Sequence, residues 1–187
     1  MIFASNNNDK LKELQDIFKG YEITSLKKFN IEIDIEEDQD SFYGNALKKA
    51  KEVYDVTKGE VIADDSGLSI DILDGWPGVL TNRFLDANWE FKKDYIIRKL
   101  DEYSDKRASF ICVLVYYNGK DIITGMGEVK GCIVESRGEN GFGFDSIFEL
   151  ENGKTLAELS SREKNKCSAR YLAIKDLYKK LSDYYKY

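Results

Sequence analysis

An α/β fold with a mixed sheet is what this sequence predicts, on three observations. A short apolar run, Ile2-Phe3-Ala4, is stopped by an Asn cluster and followed by apolar residues at helical spacing, the strand, loop, helix order of α/β proteins. Runs of buried-strand character recur between further helical patterns, as at Val61-Ile62-Ala63. An apolar and aromatic run from Ala108 to Tyr117 leads into Asn118-Gly119, the strongest short hairpin signal, which puts an antiparallel pair in the sheet. No repeat, low-complexity tract or linker divides the 187 residues, so a single domain over residues 1–187 is expected, with room for two lobes and a sizeable core.

Taken in order, Leu11, Leu14, Ile17 and Phe18 mark the first helix, with Asn7 or Asn8 as its N-cap. A stretch of alternating character runs from Ile23 to Ile35 and ends in the acidic cluster Glu36-Glu37-Asp38-Gln39-Asp40, whose simplest reading is a solvated loop. Ser41 opens a second helix with an apolar stripe of Phe42, Ala46, Ala50, Val53 and Tyr54 and a polar face carrying Lys48, Lys49 and Lys51. Val61 to Ala63 reads as a buried strand, interrupted by Asp64-Asp65-Ser66-Gly67 before Leu68, Ile70 and Ile72 resume with period two. Gly75-Trp76-Pro77-Gly78 has the composition of a tight turn, with Pro77 setting one φ angle and Gly78 accepting a positive one.

Trp89 to Leu100 reads as a helix, and a return strand after the hairpin covers roughly Asp121 to Val134. Gly138 to Gly143 is a glycine-rich loop, followed by the short apolar segment Ile147-Phe148. Ser160 with Glu163 makes a capping box, after which Cys167, Tyr171, Ile174, Tyr178, Leu181 and Tyr185 step along one terminal helix. Helices on the faces of the sheet complete the expected architecture.

Composition narrows the chemistry. The chain contains no histidine, which removes Ser-His-Asp and Cys-His catalysis, His-ligated zinc and imidazole acid-base steps, leaving carboxylates, Lys, Tyr and metal-bound water. A formal charge of −6 argues against a general nucleic-acid binder, but leaves room for a small anion held by local cations and a carboxylate-bound divalent metal. Cys112, Cys132 and Cys167 are odd in number and widely spaced within apolar patterns, so buried thiols are expected rather than disulfides or a zinc site. No stretch approaches the ~20 apolar residues of a membrane span, and Met1-Ile2-Phe3-Ala4 lacks a signal-peptide pattern, so the cytoplasm is the expected location.

Three features suit phosphate and metal chemistry if they converge: the Asn-rich strand-to-helix loop with Lys10, the pair Glu36-Glu37 before the Lys-bearing helix, and Asp64-Asp65. A helix N-terminus offers free N–H donors and the positive end of a dipole to an anion, though an Asn-rich loop is also simply good capping chemistry. Adjacent acids after an apolar strand are harder to dismiss, because a buried carboxylate needs a partner or a metal.

Read together, the segments resemble the inosine triphosphate pyrophosphatase family over nearly the whole chain. The resemblance is carried by Ser5-Asn6-Asn7-Asn8-Asp9-Lys10, by Glu36 to Ala50, and by Asp64-Asp65-Ser66-Gly67-Leu68 continuing through Leu73-Asp74-Gly75-Trp76-Pro77-Gly78-Val79. Two further blocks run from Gly141 through Asp145 to Phe148 and from Ala157 to Asn165, ending at Ser168-Ala169-Arg170. It implies an α/β domain of two lobes around a long mixed twisted sheet flanked by helices, with a nucleotide cleft between the lobes. It further implies a Mg²⁺-dependent hydrolase that converts ITP, dITP and XTP to the monophosphate and pyrophosphate, and a homodimer with no nucleic-acid or membrane partner.

By the same resemblance Ser5, Asn7 and Lys10 hold the triphosphate, with Lys49 reaching in from the second helix and Ser66 nearby. Glu37 and Asp65 are the metal and water carboxylates, Asp65 is the general base, and Asp64 is a further metal-orienting carboxylate. Arg170 and Asp145 are the candidates for reading an oxo-purine, with Lys164 and Ser168 near the same pocket and either Phe142 or Phe144 stacking on the ring. The pattern breaks at Ala169, where relatives carry His, at Gly44, where a Glu is common, and at Ser146, where a Pro often occurs. The first break touches base selectivity, the second weakens a capping box, and the third affects loop stiffness. Turnover of another modified base, or nucleotide binding without turnover, are the alternative readings.

Overall fold

The computed structural model describes residues 1–31, 33 and 35–186. Among these, six strands form one sheet: β1 (Ile2–Phe3), β2 (Thr24–Ser25), β3 (Val61–Ile70), β4 (Arg107–Tyr117), β5 (Ile122–Ile133) and β6 (Phe148–Glu149), in the order β2-β1-β3-β4-β5-β6. β1 runs parallel to β2 and β3, whereas β6 pairs antiparallel with β5, so the sheet is mixed as expected. The helices are α1 (Asn8–Ile17), α2 (Phe42–Thr57), α3 (Trp89–Lys99), α4 (Ser161–Cys167) and α5 (Ala169–Tyr184). Two compact units divide the chain, the first made of Met1–Ser66, Cys112–Gly127 and Ala169–Tyr187 and the second of Gly67–Ile111 and Glu128–Ser168.

In the first unit, local chemistry starts α1 and α2 where the sequence predicts. Asn7 caps α1 by accepting the N–H groups of Asp9 and Lys10 through its side-chain oxygen, and Ser41 caps α2 through the N–H of Gly44. A side chain at Gly44 would crowd that of Gln39, so the cap survives here as one half of a capping box. The core joins Phe3 of β1, Leu14 of α1, Ala46, Ala50 and Val53 of α2, Val61 to Ala63 of β3, and Ala173, Ile174, Leu177 and Leu181 of α5. One close approach sets where α5 begins. A Cβ on Gly127 of β5 would lie 2.1 Å from the Ala169 carbonyl oxygen and 2.5 Å from the Ala173 nitrogen, so only glycine lets the first turns of α5 lie this near the strand.

The second unit packs Leu68 and Ile70 of β3, Ile96 and Leu100 from α3 and its end, and Ile133, Phe144, Ile147, Phe148, Leu156 and Leu159 into its own core. Pro77 and Gly78 form the expected turn, Gly78 with a φ of 54°.

Three expectations are corrected. β3 does not stop at the acids: Asp64 and Asp65 lie within one continuous strand, which hydrophobic patterning reads as an interruption because it scores any charge as a break. The terminal helix is two helices, since Ser168 is extended (φ −74°, ψ 152°) between α4 and α5, and a step of four from Cys167 to Tyr171 passes over a single residue unseen. Of the thiols only Cys112 is buried; Cys132 is exposed because it alternates to the open face of β5. The alternating stretch from Ile23 to Ile35 yields the short β2 and a 3₁₀ turn over Leu26–Phe29, and its positions 32 and 34 lie outside the described residues.

Overpacking at the β5 contact costs about 1–3 kcal/mol, which for a chain of this length lowers Tm by roughly 2–12 °C. Gly127→Ala is therefore expected to show a thermal midpoint depressed by several degrees, and an unchanged midpoint would mean that α5 does not rest on Gly127.

Candidate active site

Asp64 and Asp65 are neighbours on β3, so strand alternation sends their side chains to opposite faces and each needs its own partners. Asp64, almost wholly buried, accepts a hydrogen bond from Lys10 Nζ at 2.9 Å, and Arg170 Nε stands 3.6 Å away. Lys10 comes from the first turn of α1 and Arg170 from the first turn of α5. Glu13, one helical turn beyond Lys10, accepts from Arg170 Nη1 at 3.2 Å. Burial alone would raise the Asp64 pKa, but Lys10, Arg170 and Lys49 outweigh it and hold the carboxyl well below the usual range. Asp64 is thus a fixed negative charge. Burial pushes the nearby Cys112 thiol up to about 12, which leaves it an inert core group.

One atom of this group is left over. Among the described residues, Arg170 Nε is buried and lacks a hydrogen-bond partner. An unsatisfied buried donor costs about 1–3 kcal/mol, softened here by the Asp64 carboxylate at ion-pair distance.

Asp65 has a different environment. Asn45 Nδ2 donates to its Oδ2 at 2.9 Å, the Ser66 N–H donates to its Oδ1 at 2.9 Å, and Lys49 Nζ is 3.9 Å from Oδ1. Asn45 and Lys49 are four apart on α2 and so share one face. Lys49 also donates to Glu37 Oε1 at 2.7 Å, which fastens the acidic loop to the helix, while Lys48 holds Asp38 at 2.8 Å. Burial raises Asp65 to about 6, because Lys49 and the Asn45 amide offset only part of the desolvation and Glu37 adds repulsion. For Lys49, burial pulls downward, but Asp64, Asp65 and Glu37 together raise its pKa.

Sequence reading placed Lys10, Lys49, Glu37, Asp64 and Asp65 in a shared site, and the first unit brings all of them together. It missed Asn45, which is fully buried. Its signal is an amide at the edge of the apolar stripe of α2, where a polar side chain survives only with a partner. It also missed Glu13. Ser5 and Asn7 are built into the turn before α1: Ser5 Oγ accepts the Asn7 N–H at 3.2 Å, and the Asn7 side-chain oxygen is engaged in the helix cap.

A magnesium site is tested by this donor set. Among the described residues no group of three or more His, Cys, Asp or Glu is placed to hold a metal, so the chain offers no closed cage. Mg²⁺ commonly takes one or two carboxylates and completes its shell with water and substrate phosphates. Glu37 and Asp65, two hard oxygen donors directed at one ammonium, fit that pattern, whereas Asp64 is committed to Lys10 and Arg170.

In the second unit, Asp145 Oδ2 accepts from the Phe142 N–H at 2.7 Å and from Lys164 Nζ at 2.5 Å, and that ammonium lies 4.6 Å from the centroid of the Phe142 ring. A Cβ on Gly141, whose φ is +80°, would meet Asp145 Oδ2 at 2.2 Å, so glycine is required for the turn to fold onto the carboxylate. Phe142 is 61% exposed, whereas Phe144 is 2% exposed and packs edge-on to Trp89. Of the two candidate stacking rings, Phe144 is therefore corrected to a core residue. Arg170 and Asp145, expected as a pair reading the base, each take other direct partners: Asp64 and Glu13 for Arg170, Phe142 and Lys164 for Asp145. Ser168 is the extended residue between α4 and α5.

Cations from three helices, a hard-oxygen pair and a carboxylate held ionised by its cation partners stand together in the first unit. Comparison with known proteins assigns its lineage: the chain belongs to the Ham1 family, whose model matches residues 1–180. A dITP/XTP pyrophosphatase of Bacillus subtilis is 42% identical over 189 residues, covering 96% of each chain. One of Clostridium tetani is 37% identical, covering 98% of this chain and 96% of the relative. Among solved structures, the Staphylococcus aureus Ham1 protein superimposes with a TM-score of 0.91 at 33% identity over 98% of both chains. A HAM1 protein from Coxiella burnetii gives 0.90 at 35% identity, covering 97% of this chain and 98% of its own.

The environment of Asp65 has a thermodynamic signature. An acid whose folded pKa is about 6 against an ordinary 3.8 opposes folding once ionised: the penalty is absent below about pH 4, grows between about 4 and 6, and is complete above. A shift of about two units corresponds to roughly 3 kcal/mol. Relative to the parent, Asp65→Asn is expected to gain up to that much stability between pH 4 and pH 7, read as the change in the difference of urea midpoints. A constant difference across that range would show that Asp65 is not held in a poorly solvated environment.

Proposed function

We propose that this protein hydrolyses non-standard purine nucleoside triphosphates, ITP, dITP and XTP, to the monophosphate and pyrophosphate. The observation that carries the proposal is the opposed state of two adjacent buried carboxylates, one neutralised by Lys10 and Arg170 and the other held near neutrality beside Lys49. Membership of the Ham1 family and the dITP/XTP pyrophosphatase names of its relatives agree with it.

In this reading Lys10 and Lys49 hold the triphosphate, and Arg170 Nε gains from the substrate the acceptor it lacks among the described residues. Asp65 accepts a proton from the attacking water. The water oxygen bonds to the α-phosphorus, the bond from that phosphorus to the α,β-bridging oxygen breaks, and pyrophosphate leaves without a covalent enzyme intermediate. Lys10 and Lys49 stabilise the charge that develops on the leaving group. Mg²⁺, held by Glu37 and Asp65, would supply screening of the phosphate charges. Asp64 keeps Lys10 and Arg170 in place.

For the base, hypoxanthine offers an O6 acceptor beside an N1–H donor, the reverse of adenine. Lys164 as donor and Asp145 as acceptor match the oxo-purine, with Phe142 as the stacking ring, and groups left unpaired with the wrong base can discriminate by roughly 10⁴ to 10⁵. A cytoplasmic homodimer completes the reading.

The purified protein is expected to release pyrophosphate from ITP and XTP in the presence of Mg²⁺, to lose that activity with EDTA, and to turn over ATP little. Activity confined to another base would move the substrate, and nucleotide binding without pyrophosphate release would remove the catalytic reading. Lys49→Met should lower kcat/KM by about 10²- to 10³-fold, the loss typical of one donor at a developing charge; retention of parental kcat/KM would contradict the role given to Lys49.

A further inference from the structure

The segment carrying Phe142 and Asp145 contains glycines at 138, 141 and 143, all with positive φ, so it has little conformational preference of its own. Hydrogen bonds fix it at Asn140, at Asp145 and at its stem. The Arg137 N–H donates to the Ser146 carbonyl at 2.9 Å, closing the loop over residues 138–145, and the Ser136 and Ser146 hydroxyls share a hydrogen bond of 2.9 Å. Into this stem reaches a lysine that the proposed reaction does not use. Lys93 of α3 is 8% exposed, and its Nζ donates to the buried Ser146 Oγ at 3.2 Å and to Glu90 Oε1 at 2.6 Å. Trp89, one turn earlier on the same face of α3, meets Phe144 edge-on with centroids 5.1 Å apart.

A buried ammonium costs several kcal/mol in desolvation and returns little when its one carboxylate partner is as exposed as Glu90, 81% by side chain. An apolar side chain would fill the same volume more cheaply. The burial of Lys93 therefore makes most sense as a hydrogen bond aimed at the residue next to Asp145.

We propose that Lys93 is a positioning residue for base recognition: through Ser146 it sets where Asp145 and the Phe142 ring stand, and so contributes to selection of the oxo-purine. The proposal rests on the reading of Asp145 and Phe142 as base contacts. Because Lys93 acts on the base and not on the phosphates, its loss belongs in KM and in selectivity rather than in kcat.

The test is steady-state kinetics with ITP and ATP on Lys93→Met, Lys93→Arg, Ser146→Ala and the Lys93→Met/Ser146→Ala pair, with Asp145→Asn as the control for the underlying reading. Lys93→Met should raise KM for ITP by roughly three- to tenfold, the range for residues coupled through a network, with kcat within about twofold and a smaller ratio of ITP to ATP efficiency. Ser146→Ala should shift KM in the same direction without changing the core volume around the lysine stem, the pair should be no worse than Lys93→Met alone, and Lys93→Arg should recover part of the loss. An unchanged KM in both Lys93→Met and Ser146→Ala, with KM raised in Asp145→Asn, would overturn the role of Lys93 and leave the base reading standing. An unchanged KM in Asp145→Asn as well would overturn both. If Lys93→Met does not fold, Ser146→Ala and Lys93→Arg alone decide by the same criterion.

Discussion

Two carboxylates placed side by side in a buried strand are the constraint on which the rest of the first unit depends. Strand geometry turns Asp64 and Asp65 to opposite faces, so each takes its own hydrogen-bond partners, and an uncompensated buried charge costs several kcal/mol. The fold meets this with three helices. α1 and α5 bring Lys10 and Arg170 to Asp64, and α2 brings Asn45 and Lys49 to Asp65. The close seat of α5 on Gly127 is part of the same arrangement, because it fixes the turn from which Arg170 projects.

The two partnerships differ in strength, and the proposed function rests on the difference. Two cations hold Asp64 ionised, which makes it an anchor. Asp65 receives an amide and a more distant ammonium, and so stays poised near neutrality at the expense of stability. Arg170 shows the same economy from the donor side: its Nη1 is satisfied by Glu13 and its Nε is not. Perturbed groups concentrated in this way are the pattern on which the proposed function draws.

Much of this was legible in the sequence because it depends on neighbours in the chain. The caps at Asn7, Ser41 and Ser160, the hairpin at Asn118-Gly119 and the span of α3 follow from local hydrogen-bonding chemistry and period. What was not legible depends on neighbours in space. The acids inside β3 read as a break because their partners come from three helices. Neither Asn45 nor Lys93 stands out in its helix, because burial of a polar side chain is decided by what faces it. Phe142 and Phe144 could not be told apart, since a glycine-rich loop has no periodicity to say which ring turns inward. The extended residue Ser168 was hidden because a helical repeat on either side of it stays in phase.

The claim that the two aspartates are held in opposite states is most directly tested by following their side-chain carboxyl carbons by NMR through an acid titration of the ligand-free protein, with Asp64→Asn and Asp65→Asn for assignment. Asp65 is expected to titrate near pH 6, while Asp64 stays ionised far into the acid range. Titration of both together near the ordinary aspartate value would show that the fold does not separate them, and the division into an anchor and a base would fail.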